Sequence, residues 1–155
     1  MSRFALDRAA ELVRRARFDA GLTQTELAER AGVRQPSLAQ IEAGSRRVSD
    51  EMLERLLRAA DYRPSLPLAE HAREITEAAA RHGLSNLRVF GSTLRGEDGF
   101  DSDIDLLVTI APGTDLFDVA LFSDEVRRLT GFPVDVVSDR GDAAADLAQP
   151  EAVAL

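Results

Sequence analysis

Apolar residues recur at helical spacing through the first part of the chain, and short continuous apolar runs replace them in the second. Phe4 to Ala20 reads as an amphipathic helix with Leu6, Ala9, Ala10, Val13 and Phe18 toward one side, and Gly21 stops it. Thr23 is an N-cap, and Glu26 three residues on completes a capping box for a helix over 24–31 that ends at Gly32. A third helix, about 35–43, tolerates Pro36 in its first turn and ends at Gly44. Ser49 caps a fourth, over 50–60, with Met52, Leu53, Leu56 and Leu57 inward. Beyond it, Pro64 and Pro67 interrupt the helical pattern and mark a break.

After the break the pattern changes. A helix over about 68–82 carries the stripe Ala72, Ile75, Ala78 and Ala79, and Gly83 ends it. "LRVFGS" reads as a buried strand running into a Gly-Ser turn, "DIDLLVTI" as the next strand and "APGTD" as a turn. Residues 118–130 form a helix with Val119, Leu121, Phe122, Val126 and Leu129 inward, and "FPVDVVS" is a third strand. The tail "DRGDAAADLAQPEAVAL" holds at most a short last helix. The expected organisation is an all-helical bundle (1–62), a linker (63–67) and a small α/β domain with a mixed sheet (68–155).

Charge supports the division. The chain of 155 residues has a net charge of −8, with no Lys among its 19 basic residues. Residues 1–64 carry 12 Arg against 10 Asp and Glu; residues 65–155 carry 7 against 17. Such asymmetry suggests two units with different jobs. No Cys is present, so disulfides and thiolate metal sites are excluded. No apolar run reaches the length of a membrane span, and residues 1–12 lack a signal-peptide core, so the expected location is cytoplasmic, with no membrane partner.

Two short helices joined by a tight turn inside a bundle suit a helix-turn-helix. The stretch "GLTQTELAERAGVRQPSLAQIEAGSRRVS" resembles the Cro/repressor-type (XRE-like) helix-turn-helix family. The linked pattern is Gln24, Glu26-Leu27-Ala28, Gly32-Val33, Ile41-Glu42 and Gly44. The resemblance implies that the third helix enters the major groove of operator DNA and presents Arg34, Gln35, Ser37 and Gln40 to base edges. Gln24 would hold a phosphate, and a homodimer on a two-fold site is expected. Pro36 stands where that family often has a polar reader.

The second unit poses a different question. Asp101, Asp103 and Asp105 alternate just before and inside a strongly apolar strand. Residues i and i+2 of a strand share a face, so Asp103 and Asp105 project together. Like charges that close repel, and a divalent cation reverses the cost. Oxygen-only ligands favour Mg²⁺, Mn²⁺ or Ca²⁺. Asp135, between Val134 and Val136, can join from the neighbouring strand. The Gly91-Ser92 turn suits close approach of a phosphate, and Arg95 adds a cation beside it.

These residues resemble the minimal nucleotidyltransferase family, a compact branch of the polymerase-beta-like superfamily. Gly91-Ser92, ten residues and Asp103-Ile104-Asp105 match its motif; Arg88-Val89-Phe90, Arg95-Gly96, Ser102 and Leu106-Leu107-Val108 match its flanks. Leu94 departs from the family's common Ala, and Asp101 lies outside the motif. The resemblance implies that Asp103, Asp105 and Asp135 bind Mg²⁺ or Mn²⁺ and are catalytic. Gly91, Ser92 and Arg95 would bind the triphosphate of ATP or another NTP. It also implies an antitoxin that transfers AMP to a HEPN-type ribonuclease toxin. Two other readings stay open: a non-catalytic regulator that senses nucleotide or holds a partner, and a toxin that modifies tRNA.

Overall fold

The computed structural model describes residues 2–140 and 151–155 and divides the chain into two compact units, Met1–Tyr62 and Arg63–Leu155. The first is a helical bundle. A 3₁₀ turn, Leu6–Arg8, leads into α1 (Ala9–Asp19), followed by α2 (Gln24–Ala31), α3 (Gln35–Glu42) and α4 (Asp50–Ala59). The predicted starts of α2, α3 and α4 are in place, whereas the first α-helix begins at Ala9 and not at Phe4. Thr23 and Glu26 form a reciprocal capping box on α2, Gly32 ends it in the left-handed conformation, and Ser49 accepts from the Met52 amide at the start of α4. Leu12, Val13, Ala16, Leu27, Leu38, Ile41, Leu53, Leu56 and Leu57 fill the core, and Phe4 packs edge-on against buried Tyr62. Two expected core residues lie outside it. Leu6 falls on the 3₁₀ turn and is exposed, and Phe18 is exposed under the Arg17 guanidinium. Leu12 and Ala16 complete the stripe in their place, which rotates the apolar face of α1 away from Phe18.

In the second unit, α5 (Ser65–Arg81) begins three residues earlier than the periodicity predicts. Pro64 and Pro67 do not break it: Pro64 is the capping residue and Pro67 lies in the first turn, where a missing amide hydrogen costs nothing. The cap is supplied from a distance. Asp98, buried in the loop before the Asp-x-Asp pair, accepts the Ser65 amide at 2.8 Å.

The sheet order is β3-β2-β1-β4. β1 (Leu84–Phe90) runs antiparallel to β2 (Ile104–Ile110), and β2 runs parallel to β3 (Val134–Ser138) through α7 (Leu116–Thr130). A bulge between Ser85 and Arg88, with Asn86 at φ +50°, brings β1 into register with the end of β2. Helices α5 and α7 pack together, α5 on β1 and α7 on β3. Ile75, Ala78, Phe122, Val126, Phe132, Ile104, Leu106 and Val108 form the core between helices and sheet. Leu121, expected inward, is exposed with Leu116 and Phe117 along the first half of α7; Phe122 and Val126 make the actual seam. The short last helix expected in the tail falls largely on residues outside the described part. Where the chain is described again, Val153–Ala154 forms β4, antiparallel to β1. No described helix is long and apolar enough to cross a membrane.

Candidate active site and nucleic-acid interface

The sheet register assembles the acidic cluster. Asp105 is the second residue of β2, directly opposite Phe90 on one side and Asp135 on the other. Neighbouring strands lie about 5 Å apart, so two carboxylates in register share one face at close range. Asp103 stands two residues before Asp105, just outside the strand, where it is exposed. The alternating residues Ile104, Leu106 and Val108 are buried and clamp the strand's other face into the core. Asp105 therefore cannot turn away from its neighbours without a register slip.

The electrostatic result is direct. Burial, and then the charges of Asp135 and Asp103, push the Asp105 carboxyl above its ordinary range, while Arg95 acts in the opposite direction. None of the three carboxylates has a hydrogen bond or ion pair to another described residue. Arg95 itself is exposed and pairs with Glu97 at 2.8 Å. Asp101 is exposed in the loop before Asp103.

Gly91 explains why a glycine must end β1. Its φ of 73° and ψ of −151° lie in a region that is nearly closed to other residues. An added Cβ would overlap Asp105 Oδ2 and stand 3.2 Å from its Cγ. The missing side chain is the space that the carboxylate uses. Ser92 then opens a single helical turn, α6 (Ser92–Arg95), closed by Gly96 in the left-handed conformation. Ser102 Oγ accepts the Gly99 amide at 2.9 Å while Gly99 accepts the Ser102 amide at 3.0 Å, which fixes the loop that delivers Asp103.

This donor set suits a hard divalent cation. It consists of oxygen atoms only, its members repel one another, and no cation among the described residues neutralises it at hydrogen-bond range. No three His, Asp or Glu residues among those described are already gathered as a metal-binding set, so the fit lies in chemistry and charge.

A family profile described as a nucleotidyltransferase domain matches residues 72–150. The chain belongs to that family. This nucleotidyltransferase is 35% identical over 69 residues to a Methanocaldococcus jannaschii protein described as a protein adenylyltransferase, covering 44% of the chain and 74% of the relative. It is 36% identical over 70 residues to the protein adenylyltransferase MntA of Thermococcus cleftensis, covering 45% and 68%. A solved structure described as a minimal nucleotidyltransferase superposes with a TM-score of 0.55 at 38% identity, covering 61% of the chain and 98% of that structure. A helix-turn-helix profile matches residues 13–66 of the nucleotidyltransferase, so its first unit is a helix-turn-helix domain.

In that domain the expected base readers are spread along α3. Arg34 and Gln40 are exposed, and Gln35 and Ser37 half-buried. Gln24 is drawn into a network that sequence reasoning missed. Arg17 grips buried Glu42 through two nitrogens, at 2.6 and 3.0 Å. Gln24 donates to Glu42 Oε2 at 2.7 Å and accepts from Gln35 Nε2 at 3.1 Å. Arg14 caps the end of α3 through the Glu42 carbonyl at 2.9 Å. The clue was a charged residue, Glu42, at a core position of the helix beside Ile41.

Proposed function

We propose that this protein is a DNA-binding antitoxin that transfers AMP from ATP to a hydroxyl of its partner toxin and represses its own operon. The observation that carries the enzymatic half is the juxtaposition of Asp105 with Gly91 and Asp135 at one end of β2. It gains support from the two relatives described as protein adenylyltransferases.

The residues divide the work. Gly91 lets the backbone come close to a triphosphate, and Ser92 offers a hydroxyl to its β- and γ-phosphates. Asp103, Asp105 and Asp135 would hold Mg²⁺ or Mn²⁺, which would supply charge neutralisation for the transfer. Arg95 balances charge at the turn, where the triphosphate competes with Glu97 for its guanidinium. The acceptor hydroxyl passes its proton to the Asp135 carboxylate and attacks the α-phosphorus, the bond to the α,β-bridging oxygen breaks, and pyrophosphate leaves with that electron pair. On the DNA side, Gln35 keeps its amide oxygen and one N–H for an adenine while its other N–H is held by Gln24. Arg34, Ser37 and Gln40 flank it, and Gln24 retains one N–H for a phosphate. A homodimer on a two-fold operator follows from this mode of reading.

Labelled ATP decides the matter. With Mg²⁺ and the product of the adjacent gene, expected to be a HEPN-type ribonuclease, α-label should remain on the partner and γ-label should leave with pyrophosphate. Asp103→Asn with Asp105→Asn should stop transfer and leave operator affinity unchanged. If that double variant still neutralises the partner without ATP, inhibition is by binding alone.

A further inference from the structure

Ser37 points from α3 toward the loop that follows it, and its hydroxyl is already engaged. Arg46 Nη1 donates to Ser37 Oγ at 2.8 Å. The two side chains stand, with Arg34 and Arg47, around a hollow of about 340 Å³ floored by Val33, Ile41 and Met52. The reach of Arg46 is set by the end of α3. Ser45 places both its amide and its hydroxyl on the Gln40 carbonyl, at 3.0 and 3.1 Å, which turns the chain back along the helix.

A serine hydroxyl has one proton and two lone pairs, whereas a guanidinium has donors only. Once Arg46 donates to Oγ, one lone pair is occupied. The adjacent positive charge makes the oxygen a poorer acceptor for a second donor and its proton a better one to give. In the major groove, guanine offers N7 and O6, adenine N7, and thymine O4 as acceptors, while cytosine offers only the N4 donor. A serine by itself can serve either class.

We infer that Arg46 is a positioning residue that fixes Ser37 as a hydrogen-bond donor, so that the base facing Ser37 is selected against cytosine. The inference rests on α3 being the reading helix. It differs from a phosphate contact in what it predicts. A phosphate contact strengthens binding to all sequences alike and adds about one unit to the salt slope.

The test is selection from a randomised duplex library with the full-length protein, followed by titration of single-base variants at two salt concentrations. Wild type should exclude cytosine at one position of each half-site by about fivefold, the worth of one hydrogen bond. Arg46→Met should reduce that exclusion to within about twofold while preferences elsewhere in the site persist. Arg46→Gln, which keeps a donor, should retain part of it. Ser37→Ala should abolish the same exclusion, and adding Arg46→Met to it should change base preference no further. Arg46 is exposed and Ser37 is outside the core, so melting curves of all variants should overlay that of wild type. If Arg46→Met weakens every sequence equally, lowers the salt slope and leaves cytosine excluded, Arg46 is a phosphate contact and the inference is overturned. If Ser37→Ala leaves all base preferences intact, the placement of α3 on the bases fails first, and the role of Arg46 falls with it.

Discussion

Replacing Gly91 by alanine should damage the second unit twice, and the two contributions can be separated. The backbone at φ 73° and ψ −151° is nearly glycine-only, and forcing another residue into it costs about 1–3 kcal/mol. The new Cβ also overlaps Asp105 Oδ2, so the carboxylate must leave its rotamer at about 0.5–1.5 kcal/mol. Together these come to roughly 2–4 kcal/mol, which lowers the melting midpoint of a unit this size by about 10–25 °C. Scanning calorimetry of the full chain should show one transition displaced and the helix-turn-helix transition in place. Gly91→Ala combined with Asp105→Ala should recover the side-chain part and leave the backbone part, giving a coupling of about 1 kcal/mol between the two sites. Below its lowered midpoint, the single variant should still have lost nucleotide binding, because Asp105 is displaced. A Gly91→Ala protein that melts with wild type, or strict additivity with Asp105→Ala, would refute the claim that this glycine exists to make room for the carboxylate.

Two further outcomes follow from the charges. Asp105 is held above its ordinary range, so the fold favours its protonated form; stability from this group is present below the ordinary Asp value of 3.8 and is lost as pH rises through the raised value. Asp105→Asn should therefore melt above wild type at neutral pH and converge with it at low pH, and added Mg²⁺ should raise the wild-type midpoint only. Glu42 sits at the centre of a buried pair with Arg17, so Glu42→Ala strands the guanidinium and should destabilise the first unit by about 3–5 kcal/mol. Urea titration gives that figure, and operator affinity should fall further than the unfolded fraction explains, because Gln24 loses its anchor.

Much of this molecule was legible in its sequence because the informative signals are local. Caps at Thr23 and Ser49, and the stop at Gly32, need only a few adjacent residues to act, and they act as expected. The placement of Asp105 and Asp135 on neighbouring strands was likewise readable from the apolar runs around them, whereas Asp103, expected on the same strand face, lies just before β2. What escaped depends on partners remote in the chain. Ser65 starts α5 with a cap borrowed from Asp98, so no local motif announces it. β4 is two residues long and exists only because β1 offers an edge, which leaves no periodicity to detect. Phe18 and Leu121 look like core residues in a helical projection, but which of two adjacent apolar stripes is buried depends on the opposing surface. Gln24 reads as a free polar side chain until Glu42 and Gln35 are brought beside it.

The chain Arg17–Glu42–Gln24–Gln35 has an evolutionary consequence. On the proposed reading of operator DNA by α3, it separates residues that hold that helix from those free to change what it reads. Gln35 cannot be exchanged without loosening a link that runs into the interior, so the base it meets should be the fixed letter of the operator across descendants of this protein. Arg34 and Gln40 are exposed and make no side-chain contact in that chain. A duplicated copy of the gene could acquire a private operator by substitution at these two positions alone, with its fold untouched. Two such systems could then share one cell without silencing each other.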